Sequence, residues 1–250
     1  MSISPAGPPG GVPHYPSGLT PTPPPQTVPG VLRSPLGLAN AVTALLALVL
    51  ACDVFSIAAD INLWSVAGSV VADGPMSVSV DDADRAELLL SVTALLQGLG
   101  FLATAVVFII WFHRVRGNGE IFSPNGFDKG RGWAIGGWFV PFLNLRLPYR
   151  IARETWTAST QAAPDGSWRP IRTGIVTVWW VALVADRIAT QLTSQMYSKA
   201  ESSDALRDSA VGMSLSDGLD IVAAVLAILF VRRLTAMQHL KATQGPVAAF

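Results

Sequence analysis

The stretch from Leu88 to Phe112, LLLSVTALLQGLGFLATAVVFIIWF, decides the fold of this chain because it carries no charged side chain. A helix of about 20 apolar residues is long enough to cross a bilayer. Three further segments, 36–59, 173–192 and 215–233, have a similar apolar character. The sequence therefore predicts an all-α fold, a polytopic membrane helical bundle with four transmembrane helices.

The composition agrees with a membrane protein and excludes several other classes. Hydrophobic residues make up 50% of the 250 residues and charged residues only 14%. The 17 basic and 17 acidic residues cancel, so the basic excess typical of a nucleic-acid-binding protein is missing. One cysteine and three histidines argue against a disulfide framework and a structural zinc site. We expect neither a metal nor a cofactor.

A shorter apolar stretch lies between the second and third predicted spans. Residues 133–145 are too few to cross a membrane, and they include Pro141 and Asn144. We therefore expect an interfacial or re-entrant element there, followed by an amphipathic cytoplasmic helix over 149–159. The transmembrane domain is predicted to cover 36–234, and a short cytoplasmic tail to cover 235–250.

The charges of the connecting segments predict the orientation. Six acidic residues and one basic residue lie between the first two predicted spans, whereas basic residues dominate on both sides of 133–145. Because basic loops stay on the cytoplasmic side, we expect both termini in the cytoplasm and the spans in the bacterial cytoplasmic membrane.

Residues 1–35 are rich in proline and glycine and have no charged side chain before Arg33. Such a segment cannot bury apolar surface, so we predict a disordered cytoplasmic tail. Pro21, Pro23, Pro24 and Pro25 form a PxxP-like cluster that a cytoplasmic protein with an aromatic groove would bind. The alternative is a solvated spacer.

Cys52 follows Val49-Leu50-Ala51, a sequence that resembles a bacterial lipoprotein cleavage box. The long lead before it and Leu50, where a smaller residue is preferred, argue against lipidation. The alternative is that Cys52 is a small buried apolar residue.

Among the charged residues of the predicted spans, we select Asp53, Asp186, Arg187 and Asp220 as candidates for pairing within the membrane. Charges in the hydrocarbon are costly and usually pair, so we predict an Asp53–Arg187 or an Arg187–Asp220 ion pair. Such a pair either fixes the register of the helices or marks a functional site.

Basic and aromatic side chains concentrate around the short apolar stretch. An indole suits the headgroup level, and each basic residue near the surface contributes about 1 kcal/mol of attraction to anionic lipid. We predict that this set contacts anionic lipids of the inner leaflet: Arg114, Arg116, Lys129, Arg131, Trp133, Trp138, Arg146, Arg150, Arg153 and Trp156.

The Arg114/Arg116 pair and the block Gly136-Gly-Trp-Phe-Val-Pro141 are the most specific motifs of the chain. Over roughly 36–234 the sequence resembles the domain-of-unknown-function 4328 family of actinobacterial multi-pass membrane proteins. The resemblance implies a membrane fold and compartment. It implies no activity and no catalytic residue.

No enzyme signature such as HExxH, GxSxG or a P-loop lysine occurs in the sequence, so we predict that the chain is not an enzyme. An intramembrane carboxylate pair of Asp53 and Asp220 is the one enzymatic alternative.

The leading hypothesis is a non-enzymatic membrane scaffold or regulatory partner that binds proteins through its tail. The second hypothesis is a small-solute or ion translocating protein, a transporter or channel subunit that uses Arg187. Both hypotheses allow a homo-oligomer.

Overall fold

The computed structural model describes residues 30–167 and 171–247, which form six α-helices and no strand. Four helices are long and apolar enough to cross a membrane: α1 (Leu36–Asp73), α2 (Val80–Phe122), α5 (Gly174–Ser198) and α6 (Ser203–Gln244). Two short ones, α3 (Trp133–Gly136) and α4 (Leu147–Ser159), lie between α2 and α5. The prediction of an all-α fold with four membrane-compatible helices is confirmed.

Local sequence signals set the ends of the long helices. The Ser79 hydroxyl accepts a hydrogen bond from the amide of Asp82 at 3.1 Å and caps α2, and Ser202 caps α6 in the same way. Such caps satisfy amides that have no partner within the helix. Gly74 and Gly245 end α1 and α6 with φ of 89°, a conformation that disfavours other residues.

The four long helices pack in the order α2–α1–α6–α5, because α1 contacts both α2 and α6, and α5 packs on α6. The α1–α2 and α5–α6 connections lie at one end, which we call the hairpin end. The opposite end, the base, holds the first residues of α1 and α5 and the last residues of α2 and α6. Side chains of the edge helices α2 and α5 meet, for example Phe108 and Trp179, whose ring centroids are 5.8 Å apart.

Helix α4 closes the base by packing against α2, α5 and α6. It buries Ile151 and Trp156 beside an aromatic core. In this core Trp179 of α5 stacks on Phe230 of α6 with ring centroids 4.3 Å apart, and Trp111 of α2 meets Phe230 edge-on at 5.7 Å. The base is therefore the tightly packed part of the bundle.

The segment 133–145 forms one turn of α-helix and a 3-10 turn at Leu143–Leu145, so it contains no helix that could cross a membrane. Phe142 next to Pro141 has φ of 62° and is 89% exposed.

Helix α4 begins two residues earlier than expected, and α6 continues beyond position 234 to Gln244. Buried Thr235 and Gln238 explain that extension, since their side chains bond within the base.

The predicted tail and its cluster of Pro21, Pro23, Pro24 and Pro25 lie outside the described residues. Cys52 is half-buried within the continuous helix α1.

Candidate functional site

A cleft of about 1060 Å³ lies between the edge helices α2 and α5, and its walls come from all four long helices. Its lining is mostly apolar, with Trp138, Trp179 and Trp180 towards the base. Polar side chains line its middle, among them Gln97 and Arg187. The cleft exists because α2 and α5 do not pack directly against each other.

Five acidic residues gather at this polar level. Asp60 of α1 and Asp217 and Asp220 of α6 line the cleft. Asp53 and Asp186 have 0% exposure and adjoin it through Gln97 and Arg187. Asp60 and Asp217 were not among the predicted site residues, because both lie close to the ends of predicted spans, where an acid would reach water. The sequence does not show that both side chains point into the cleft.

Gln97 of α2 links two of these acids. Its amide nitrogen Nε2 donates to Oδ1 of Asp53 at 3.1 Å and to Oδ1 of Asp217 at 3.0 Å. The bonds join α2, α1 and α6 in one polar layer. The sequence signal for Gln97 was its isolation in an otherwise apolar span, where a polar side chain requires a partner.

Among the described residues that line the cleft, Arg187 of α5 is the cation. Its Nη2 lies 2.6 Å from Oδ2 of Asp186 and 3.6 Å from Oδ1 of Asp220. Its guanidinium carbon is 4.6 Å from the ring centroid of Phe101 on α2, which gives a cation–π contact across the cleft. Of the two predicted ion pairs, the structure therefore shows Arg187 with Asp220. Asp53 is bonded to Gln97 instead.

Several carboxyl oxygens in this layer have no hydrogen-bond partner within the described ranges. They are Oδ2 of Asp53, Oδ1 of Asp186 and Oδ2 of Asp217. Asp60 accepts a hydrogen bond from the hydroxyl of Ser214 at 3.2 Å. Unpaired buried oxygens are costly, and one guanidinium does not balance five carboxyl groups. The layer therefore has capacity for protons or for a bound cation.

The acids do not converge on a point. Among residues 30–167 and 171–247, no three His, Cys, Asp or Glu side chains are placed to hold a metal ion. The carboxyl groups are instead distributed along the cleft from Asp60 to Asp220.

A second polar network fixes the base. The Asn118 amide accepts from the Arg33 backbone at 3.0 Å and donates to the Arg33 carbonyl at 2.8 Å. It also donates to Gln238 Oε1 at 3.0 Å, and Gln238 donates to the Val115 carbonyl at 2.8 Å. The network ties the segment before α1 to α2 and α6. Its buried, closed geometry indicates a structural role.

Two of the residues predicted to contact lipid, Arg116 and Trp156, are buried, and Trp138 is half-buried. Arg116 is 1% exposed, donates to the Lys129 carbonyl at 2.7 Å and lies 3.5 Å from the ring centroid of Phe127. Trp156 is 7% exposed and stacks on Phe230. Trp138 is half-buried against other rings of the base. The prediction is wrong for Arg116 and Trp156, because the fold buries their side chains.

The other members of the set lie at the surface of the base. Arg114 is half-buried and donates to the Ser34 carbonyl at 3.2 Å. Arg150 is paired with Asp128 and with Glu154, so its charge is balanced within the chain. The remaining exposed residues are Lys129, Arg131, Trp133, Arg146 and Arg153.

Comparison with known proteins gives a family and no activity. No curated protein and no solved structure matches the chain. Residues 75–236, which include α2 to α5 and most of α6, match the family described as Domain of unknown function (DUF4328). The polar layer is shared between this region and α1, which supplies Asp53 and Asp60. On that match the chain belongs to the DUF4328 family.

Proposed function

We propose that this chain is a non-enzymatic, small-solute or ion translocating membrane protein, with the cleft between α2 and α5 as its path. The observation that carries the proposal is the acidic lining of a large cleft whose buried carboxyl oxygens lack partners. A pair that only fixes helix register needs one acid and one base. Five acids at membrane depth are too costly to be retained for that purpose alone.

The aromatic contacts at the base end of the cleft suggest how a path through it would be opened and closed. Towards the base, Phe108 of α2 contacts Trp138 and Trp179, with centroids 5.8 Å apart in both cases. Trp138 belongs to the irregular segment after α3, and broken helices are a common device in transporters. In this proposal the aromatic contacts form the gate on the base side, and a shift of that segment opens it.

The orientation and compartment are part of the proposal. The exposed basic residues of the base favour the cytoplasmic side of a bacterial membrane, with both termini inside and anionic lipid beneath Arg131, Arg146 and Arg153.

A flux measurement tests the proposal. Purified full-length protein is placed in liposomes containing a pH-sensitive dye, and proton flux is followed after a potential is imposed. We expect faster flux than in empty liposomes, and loss of that flux in Asp217→Asn/Asp220→Asn. Asp84→Asn, an exposed acid at the hairpin end, is the matched control and should retain flux. Flux equal to that of empty liposomes would overturn the proton path.

The scaffold hypothesis is the second candidate, and the charge-free proline-rich tail favours it. In-membrane crosslinking of the full-length chain and of a chain lacking residues 1–32 tests it. A partner set that disappears with the tail supports the scaffold. Unchanged partners contradict it, while purification of both forms with themselves alone indicates a homo-oligomer.

A further inference from the structure

We infer that the cleft binds an amphipathic organic cation, a molecule with one positive charge on an aromatic or hydrocarbon body. The inference rests on the proposed function, since it names the class of solute. It is tested by binding, however, and a cleft that binds without translocating would leave it intact.

The size and lining of the cleft fit such a molecule. Pockets for small organic ligands have volumes of about 300–1,000 Å³ and mostly apolar walls with few polar groups. The cleft measures about 1060 Å³, and its apolar lining includes Leu46, Val49, Phe101, Phe108, Leu183 and Ile188. A bare metal ion would gain nothing from these walls, and the acids do not converge as its ligands would.

The acidic lining of the cleft favours a cation. Asp60, 1% exposed, and Asp217 and Asp220 line it, and the fully buried Asp53 has an oxygen without a partner next to Gln97. Asp60 and Asp217 line the same cleft, where carboxylates of like charge repel each other. A positive charge between these side chains would relieve that repulsion and would be held in a medium of low dielectric constant.

Arg187 gives the site an exchangeable counterion. Its bond to Asp186 at 2.6 Å is short, whereas its 3.6 Å contact with Asp220 is long. An incoming cation can therefore replace Arg187 at Asp220 while Arg187 stays bonded to Asp186. The aromatic rings of Trp179 and Trp180 at the base side then pack against the body of the ligand.

The gap between α2 and α5 provides access. Side chains that line the cleft on both rims, such as Phe101 at 49% and Ile188 at 56% exposure, are accessible from outside the bundle. An amphipathic cation partitions into the membrane, so it can reach the cleft from the lipid side without crossing the base.

Tetraphenylphosphonium is the probe, and tetraphenylborate, which has nearly the same shape and the opposite charge, is its control. Binding to full-length protein in nanodiscs is measured by equilibrium dialysis and by quenching of tryptophan fluorescence. We expect saturable binding of the phosphonium alone, weakened at least tenfold in Asp217→Asn/Asp220→Asn and unchanged in Asp84→Asn. Saturable borate binding of similar affinity, or equal phosphonium affinity in all variants, would overturn the inference.

A variant that fills the cleft tests the inference without removing any acidic side chain. Gly98 lines the cleft, and a side chain there would meet open space, so Gly98→Phe should fold and fill the cleft. Gly37→Phe, also with open space but away from the cleft, is the matched control. We expect binding to be lost in Gly98→Phe only. Retained binding in that variant would place the ligand elsewhere and overturn the inference.

The outcomes separate the two proposals. Phosphonium binding without proton flux supports the binding site and contradicts translocation of protons. Flux without saturable phosphonium binding supports translocation and overturns the organic cation as its solute.

Discussion

Nη2 of Arg187 lies 3.6 Å from Oδ1 of Asp220, and this contact joins α5 to α6 where the cleft is acidic. The same guanidinium bonds the fully buried Asp186 through Nη2 at 2.6 Å and Nε at 2.8 Å. Arg187 therefore stabilises one buried acid firmly and a second one loosely. The two roles can be separated by mutation.

Arg187→Gln should lower the free energy of unfolding by about 3 kcal/mol or more, because Asp186 is left buried without its charge partner. Chemical unfolding in detergent micelles, followed by tryptophan fluorescence, measures the loss. The double variant Asp186→Asn/Arg187→Gln should recover most of it, since no unpaired charge is then buried. Equal stability of Arg187→Gln and wild type would show that Asp186 does not depend on Arg187.

Asp53→Asn should raise the stability of the fold by about 1 kcal/mol while weakening phosphonium binding. The change removes one charge from a cluster of like charges and keeps an oxygen for the Gln97 bond. Gains of that size are common where a functional residue is removed. Thermal unfolding and equilibrium dialysis measure the two effects, with Asp84→Asn as the control. A variant that is less stable than wild type would argue that Asp53 serves the structure.

Asn118→Ala should lower the free energy of unfolding by about 2 kcal/mol, because it leaves buried groups of Gln238 and of the Arg33 backbone without partners. It should also release the segment before α1, so tryptic cleavage after Arg33 should become faster. Asn125→Ala, at an exposed turn, should change neither measurement. Unchanged cleavage in Asn118→Ala would show that the network does not hold this segment.

Arg116 and the surface arginines should respond differently to removal of charge. Arg116→Gln should destabilise the fold, since the guanidinium is buried against Phe127 and the Lys129 carbonyl. Arg146→Gln/Arg153→Gln should leave stability unchanged and reduce the number of anionic lipids retained in native mass spectrometry. Loss of lipid in Arg116→Gln without destabilisation would restore the original prediction for that residue.

Much of the fold followed from patterns along the chain. The charge-free run from Leu88 to Phe112 and its three counterparts predicted the four long helices, because span length depends only on consecutive apolar residues. The brevity of 133–145 predicted a segment without a crossing helix. The prediction of lipid-contacting residues was less accurate. Arg116 and Trp156 are of residue types that are common at a membrane surface, but their side chains are buried in the base.

The sequence by itself determined the fold class, the number of long helices and the presence of charges among them, because each depends on residues that are neighbours in the chain. Only the tertiary structure decided which of those charges meet. Asp53 and Gln97 are far apart in sequence, and so are Gln97 and Asp217, and they touch because α1, α2 and α6 pack side by side. The cleft has the same origin, since it exists only where α2 and α5 remain apart.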